Sequence, residues 1–175
     1  FSVFNQTDAK AIKGLGFDII KIPSMEVTNL ELVSYCLDNF KTVYFSAGAC
    51  TSKEFEIPAK LINETSNKVI LMHCVSCYPC LAENANLVRL NYMANLCPNT
   101  TLGLSDHTSS TILPAVAASF NAVAIEKHFT TNRDLPGRDN KFALLPKEFE
   151  IMVNNHKEAT KGLIDHGFHA PAMPF

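Results

Sequence analysis

Short apolar runs alternate with longer segments of helical character along the chain. The runs are rich in Val, Ile, Leu and Phe, and they predict strands at 1–4, 17–24, 42–48, 68–75, 101–105 and 122–127. The segments between the runs, and a last segment from Pro146 to about Gly162, predict helices. Strands and helices that alternate every 20 to 30 residues or so are typical of a parallel sheet with crossover helices. The pattern therefore predicts an α/β fold.

Polar residues mark where several of these helices begin. A Thr followed three residues later by Glu has the spacing of a capping box, in which each residue bonds the other's backbone N–H. This spacing occurs at Thr28–Glu31 and at Thr51–Glu54. For the first helix, which we expect to end at Gly14–Gly16, the candidate N-caps are Thr7 and Asp8.

Polar side chains also gather where the predicted strands end. The carboxyl ends of parallel strands share one edge of a sheet, and active sites of (β/α)8 TIM barrels are built at that face. The sequence therefore predicts an incomplete barrel of about six βα units over residues 1–163, with 164–175 as a C-terminal tail or linker. The strand-end residues are Ser2, Lys21, Ser24, Ser46, Ser76, Ser105, His107, Glu126 and His128.

Two histidines stand out among these residues. His107 and His128 each follow a predicted strand, and one helical segment lies between them. A strand, a crossover helix and a parallel strand would place the two imidazoles side by side. Either histidine alone is more often a hydrogen-bonded polar residue. The pair, beside the polar loop 130–141, predicts a site for a metal ion or an anionic substrate.

Composition excludes some partners and indicates a compartment. The 175 residues carry a formal charge of −2, so no overall basic field attracts nucleic acid or a membrane surface. No apolar run is long enough to cross a membrane, and no signal-peptide pattern opens the chain. Six cysteines in a chain with a good core indicate a reducing cytosol, so we expect a cytoplasmic protein.

Cys74, Cys77 and Cys80 have the spacing of part of an iron–sulfur signature. Position 83, where a fourth ligand would fall, is Glu, and Cys74 continues an apolar strand. We therefore favour a packing role for these cysteines. We also expect His73 to be a packed strand histidine, and we assign no role to His156, His166 or His169.

Six short motifs, taken in order, closely resemble the sialic acid synthase family of N-acetylneuraminate synthase-like enzymes. They are Lys21–Asn29, Ser46–Gly48, His73–Pro79, Ser105–Thr108, Glu126–Thr130 and Leu135–Asp139. The resemblance implies that the chain matches the family's barrel from its third strand onward. It also implies that the complete protein is a homodimer.

The resemblance implies an activity and a cofactor. The family condenses phosphoenolpyruvate with N-acetylmannosamine or a related amino sugar, forming a nonulosonic (sialic-type) acid and releasing phosphate. By the same resemblance, His107 and His128 would bind a divalent metal, Mn²⁺ or Mg²⁺. That ion would act as a Lewis acid on the sugar aldehyde.

The remaining motif residues receive roles in the same way. Tyr78 would line the sugar side of the site, and Glu26, Glu126 and Asp139 would be acidic catalytic residues. A lysine and several hydroxyl groups can together hold a phosphate and a carboxylate. The residues that would bind phosphoenolpyruvate are Ser2, Lys21, Ser24, Ser46, Ser76 and Ser105.

Two alternatives remain open from the sequence. Lys21 in an apolar strand would also suit an aldolase that forms a Schiff base. A truncated, non-catalytic domain that binds a sugar or a phosphate would also suit a barrel with too few strands. Cys77 and Cys80 stand where relatives carry small residues without a thiol, which leaves the choice of sugar undecided.

Overall fold

A parallel sheet organises residues 1–164, the part of the chain that the computed structural model describes. Its strand order follows the chain, and every neighbouring pair is parallel. The predicted α/β class is confirmed. Nearly all of the predicted tail at 164–175 lies outside the described residues. The strands are β1 (Ile19–Ile22), β2 (Thr42–Ala47), β3 (Lys68–Cys74), β4 (Thr101–Asp106) and β5 (Ala122–Lys127).

Five strands form where six were expected, because the segment 1–4 pairs over a single bridge. Ser2 faces Lys21 of β1 in a parallel bridge. The Lys21 N–H donates to the Phe1 carbonyl at 2.8 Å, and the Val3 N–H donates to the Lys21 carbonyl at 3.0 Å. The pairing stops there because Asn5 already caps the first helix.

Helices connect the strands, and three short 3₁₀ turns, including Ser24–Glu26 and Asp139–Lys141, lie in loops. The last helix has the predicted bounds. The α-helices are α1 (Gln6–Gly14), α2 (Leu30–Asn39), α3 (Ser52–Glu64), α4 (Arg89–Leu96), α5 (Leu113–Ala118) and α6 (Pro146–Gly162).

The helix caps confirm one prediction and correct two. Thr51 and Glu54 form the predicted capping box at α3. At α2 the cap is Asn29, whose side chain accepts from the Leu32 N–H at 3.3 Å, so the box expected at Thr28 is wrong. At α1 the cap is Asn5 rather than Thr7 or Asp8. In both cases an asparagine, among the best N-caps, stands immediately before the first helical residue.

The core lies between the sheet and its helices. Ile20, Val43, Phe45 and Leu71 are buried strand residues of a single apolar cluster that also contains side chains of α2, α3 and α4. The Phe45 ring packs 6.1 Å from that of Phe55 on α3. Successive strand positions are apolar because much of the sheet is covered, as is usual for parallel sheets.

The sheet is strongly curved. Neighbouring strands lie about 4.8 Å apart, so a flat sheet would separate β1 from β5 by about 19 Å. Lys21 Nζ of β1 nevertheless lies 3.2 Å from Glu126 Oε2 of β5. The first and fifth strands must therefore bend towards each other at their carboxyl ends. Ile19 and Val123, on these two edge strands, remain exposed.

Strands β2 and β3 approach closely where β2 ends. A Cβ added to Gly48 would lie 2.6 Å from the backbone oxygen of Cys74. Only a residue without a side chain fits there. None of the helices within residues 1–164 has both the length and the apolar character needed to cross a membrane.

We predict that Gly48→Ala lowers the free energy of unfolding by about 1–3 kcal/mol, because the new methyl group meets backbone that cannot rotate away. Urea denaturation followed by circular dichroism measures this. Gly14→Ala is the matched control, since an added Cβ there meets nothing within 4 Å. Equal stability of the two variants would contradict the close packing.

Candidate active site

An open cleft of about 600 Å³ lies over the carboxyl ends of the strands. This volume is typical of sites for small molecules. The cleft brings together nine of the residues singled out from the sequence, and Phe4, Cys74, Asp106, Lys127 and Arg138 also line it. The nine are Lys21, Ser24, Ser46, Tyr78, Ser105, His107, Glu126, His128 and Asp139.

Three predicted residues do not line the cleft. Ser76 contacts a residue that lines the cleft, because its Oγ lies 2.7 Å from Ser24 Oγ. Glu26 accepts a hydrogen bond from Asn29 Nδ2 at 2.9 Å, next to the cap of α2. Ser2 takes part in the backbone bridge to Lys21.

One end of the cleft carries a lysine and hydroxyl groups. Glu126 is the direct neighbour of Ser105 in the sheet register, and the Ser105 hydroxyl donates to Glu126 Oε2 at 2.6 Å. The same carboxylate oxygen pairs with Lys21 across the curved sheet. The Lys21 side chain is only 17% exposed, so its ammonium is held inside the cleft.

The Ser46 hydroxyl also lines the cleft and has no hydrogen-bond partner in the described part of the chain. Ser46 is fully buried, and no atom within residues 1–164 bonds its Oγ. A buried hydroxyl without a hydrogen bond costs about 1–3 kcal/mol. Because Ser46 lines the cleft, a ligand that accepts from this hydroxyl would remove that cost.

The same cleft also contains the two imidazoles. His107 and His128 follow neighbouring parallel strands, as predicted, and their ring centroids are 5.3 Å apart. His107 Nδ1 lies 2.8 Å from the Val75 carbonyl oxygen. A carbonyl only accepts, so Nδ1 carries the proton and Nε2 keeps a free lone pair. Tyr78 packs 4.2 Å from His107, ring centroid to ring centroid.

The donor set near these rings is incomplete for a structural metal site. His128 Nδ1 lies 3.7 Å from Asp139 Oδ2, which is too long for a hydrogen bond. Within residues 1–164, no group of three or more His, Cys, Asp or Glu side chains is arranged to hold an ion. Two imidazoles with open positions remain compatible with an ion that also binds substrate or water.

Burial and neighbours shift the pKa values of these groups in different directions. Burial, helped by the neighbouring His107, lowers the pKa of His128. Burial also disfavours charge on His107, but contacts with Cys74 and the Val75 carbonyl outweigh it and raise the pKa of His107. Burial disfavours the Cys74 thiolate, yet the imidazole of His107 lowers the pKa of Cys74 overall. Burial, followed by nearby negative charge, raises the pKa of Tyr78.

Asp106 and Lys127, which precede the two histidines, form a buried ion pair. The sequence alone did not lead us to expect it. Lys127 Nζ bonds Asp106 Oδ2 and the Thr108 carbonyl, each at 2.5 Å. Asp106 also accepts from the Thr108 N–H at 2.8 Å. The available signal was that Asp106 and Lys127 are opposite charges that flank the two histidines at equal spacing.

His73 and two of the three clustered cysteines are buried packing residues. His73 is fully buried and its Nε2 lies 2.8 Å from the Ala85 carbonyl, which confirms the expected packed histidine. Its Nδ1 has no partner within residues 1–164. All six cysteines are free thiols, with Cys74 and Cys80 buried and Cys77 exposed. The packing interpretation thus holds for two of the three clustered cysteines.

We predict that Asp106→Asn lowers the free energy of unfolding by about 3–5 kcal/mol, because it leaves the Lys127 charge buried without a counter-charge. The two side chains are only 3% and 1% exposed. Glu150→Gln breaks the exposed pair with Lys147 and serves as the control, with an expected change below about 0.5 kcal/mol. Similar losses in both variants, measured by chemical denaturation, would contradict the importance of burial.

Comparison with known proteins gives a consistent result. The NeuB family profile matches residues 1–166. N,N'-diacetyllegionaminic acid synthase of Legionella pneumophila is 30% identical over 161 residues, which are 89% of this chain and 45% of that protein. Pseudaminic acid synthase of Helicobacter pylori is 30% identical over 163 residues, which are 93% of this chain and 48% of that protein. The chain thus spans about half the length of these relatives.

A solved structure agrees with the sequence comparisons. The N-acetylneuraminic acid (sialic acid) synthetase of Leptospira borgpetersenii, crystallised with citrate, superposes with a TM-score of 0.89 at 29% identity. The match covers 98% of this chain and 60% of that one.

Proposed function

Because the chain belongs to the NeuB family, we propose that the complete protein condenses phosphoenolpyruvate with an N-acetylated amino sugar. N-acetylmannosamine or a related sugar would be the acceptor, and the products would be a nonulosonic acid and phosphate. The observation that carries this proposal is a single cleft lined by a lysine, hydroxyl groups and paired imidazoles. The sialic, legionaminic and pseudaminic acid synthases among its relatives support the same reaction class.

Phosphoenolpyruvate would bind at the Lys21 end. Its phosphate and carboxylate need cationic and hydroxyl donors, and Lys21, Ser105 and the unpaired Ser46 hydroxyl supply them in a partly dry site. Ser24, with Ser76 behind it, would add a further hydroxyl. Glu126 holds Lys21 and Ser105 in place. When phosphoenolpyruvate binds, it would replace Glu126 as the partner of these two side chains.

The amino sugar would bind beside the imidazoles, with its aldehyde towards His107 and His128. These residues would hold Mn²⁺ or Mg²⁺, which supplies Lewis-acid polarisation of the aldehyde oxygen when bound. His107 is already oriented for this by its bond to Val75. Tyr78 would pack against the sugar. Asp139, half exposed at the rim, would orient a hydroxyl or move a proton.

Bond formation would join C3 of phosphoenolpyruvate to the aldehyde carbon, and water would then add at C2 as phosphate leaves. The carboxylates near the reacting atoms would accept and return the protons. Glu126 is placed near this step because its carboxylate contacts Ser105 and Lys21, two of the side chains that would bind phosphoenolpyruvate. Glu26 lies outside the cleft, so its contribution would come through Asn29 and the 24–26 turn.

We propose that the sheet belongs to a (β/α)8 barrel in the complete protein. The contact between Lys21 and Glu126 supports this, because it requires curvature like that of a barrel wall. We also propose that the complete protein is a homodimer and lies in the cytoplasm. The free cysteines support the latter.

The alternative function, a Schiff-base aldolase, would require Lys21 in a different state. An aldolase needs a free amine able to attack a carbonyl, whereas Lys21 is paired with a carboxylate at 3.2 Å. Borohydride treatment in the presence of pyruvate would trap an imine if that alternative were correct. We expect no trapped adduct.

We predict that the complete protein releases phosphate from phosphoenolpyruvate only when an amino sugar and a divalent metal are both present. Lys21→Met should lower kcat/KM by about 10- to 100-fold, because a hydrogen bond to a charged group is lost. Lys147→Met, at an exposed lysine on α6, is the control and should leave turnover intact. Undiminished turnover in Lys21→Met would contradict the assignment.

We also predict that His107→Ala and His128→Ala each abolish Mn²⁺ binding, measured by calorimetry, together with metal-dependent turnover. Neutral imidazole is the binding form, so affinity should fall as the pH drops, and because the pKa of His107 is raised the fall should begin above the ordinary value of about 6.5. The raised pKa of His107 makes that group the first to compete for protons. His156→Ala, away from the cleft beside Pro114, should bind Mn²⁺ normally. Retention of Mn²⁺ binding by both cleft variants would exclude this site.

A further inference from the structure

Arg138 is a cationic side chain at the junction of two clefts. It is exposed and lines the 600 Å³ cleft on the side of His128. A smaller cleft of about 210 Å³ adjoins the first, and both are lined by His128, Phe129, Arg138 and Asp139. Arg138 therefore stands where a ligand bound at the imidazoles would continue into the smaller cleft.

Among residues 1–164, no side chain or carbonyl is hydrogen-bonded to the Arg138 guanidinium. The other arginine of the same loop, Arg133, donates to the Ala143 carbonyl at 3.1 Å and to Glu148 at 2.5 Å. Over the described range 1–164, Arg138 makes no side-chain hydrogen bond and no ion pair. Its donors are thus available to a ligand, whereas those of Arg133 hold the loop.

The loop that presents Arg138 is fixed on both sides of it. Asn140 Nδ2 donates to the carbonyls of Leu135 and Pro136 at 3.3 and 3.0 Å. Gly137 has φ +129°, and a Cβ there would lie 2.9 Å from the Asn140 side chain. The Leu144 N–H donates to the His128 carbonyl at 2.9 Å, which ties the loop's far end to β5. The backbone position of Arg138 relative to His128 is therefore set by the fold.

The position of this charge suggests its ligand. Because His128 and Arg138 both line the smaller cleft, that cleft offers room for the terminal carbon of an amino sugar whose aldehyde faces the imidazoles. A guanidinium presents a planar fork of donors that matches phosphate or carboxylate oxygens.

We infer that Arg138 determines acceptor specificity by binding an anionic group, a phosphate monoester or a carboxylate, on the terminal carbon of the amino sugar. This inference rests on the proposed function, because it assumes that the sugar binds beside the imidazoles. Asp139, on the same rim, lies near His128 and faces the part of the sugar that carries hydroxyl groups.

The test compares three acceptors in the complete protein: N-acetylmannosamine, its 6-phosphate and the corresponding 6-carboxylate. We expect kcat/KM for one anionic acceptor to exceed that for the neutral sugar by about 10- to 100-fold, the value of a charge-assisted hydrogen bond. The anionic acceptor with the higher kcat/KM shows whether Arg138 binds a phosphate or a carboxylate. Arg138→Ala should remove most of this ratio and Arg138→Lys should keep part of it. The KM for phosphoenolpyruvate should not change.

Lys141→Ala is the matched control, because Lys141 belongs to the same loop but lines neither cleft. It should keep the acceptor ratio of the unchanged protein. A preference for the neutral sugar, or an anionic preference that survives Arg138→Ala, would overturn the inference. A loss confined to the KM for phosphoenolpyruvate would also overturn it and would assign Arg138 to the other substrate.

If the proposed function itself were wrong, the result would differ from the outcomes above. In that case no acceptor would release phosphate from phosphoenolpyruvate. Calorimetric titration with the 6-phosphate and the 6-carboxylate then tests separately whether Arg138 binds an anionic sugar. Binding that Arg138→Ala abolishes would support an anion site, and absence of binding would remove it.

Discussion

The contact between Lys21 and Glu126 is the constraint on which the site depends. It joins the first and last strands of the sheet, which a flat arrangement would hold far apart. Curvature thus turns the row of strand ends into a concave cleft. The same carboxylate accepts from Ser105, so one side chain positions the lysine and a hydroxyl together.

Around this contact the cleft divides into two chemically different parts. The Lys21 end offers an ammonium and hydroxyls in a partly dry setting, including the unpaired Ser46. The other group of side chains comprises two imidazoles, an aromatic ring and a rim loop. Behind the imidazoles, the buried pair of Asp106 and Lys127 fixes the backbone that carries them.

Much of this arrangement could be predicted from local sequence. Strand apolarity indicated the sheet, the Thr51–Glu54 spacing indicated the start of α3, and the spacing of His107 and His128 indicated neighbouring strands. These features depend on residues within one βα unit. Local pattern also explains two errors, because Asn29 and Asn5 compete for the cap with nearby Thr or Asp residues.

The remaining features depend on contacts between distant parts of the chain. Nothing near Lys21 in the sequence reveals that Glu126 lies within 3.2 Å of it, since that contact arises from the curvature of the whole sheet. The burial of Lys127 against Asp106 likewise becomes visible only when β4 and β5 are paired. Arg138 lies in a loop rich in turn residues, where sequence indicates polarity but gives no direction for the side chain.

A crystal structure of the complete protein with phosphoenolpyruvate tests the central claim most directly. We predict phosphate or carboxylate oxygens of the ligand within about 2.7–3.2 Å of Lys21 Nζ and Ser46 Oγ. Phosphoenolpyruvate bound away from these two atoms, or a covalent bond between Lys21 and the ligand, would contradict it.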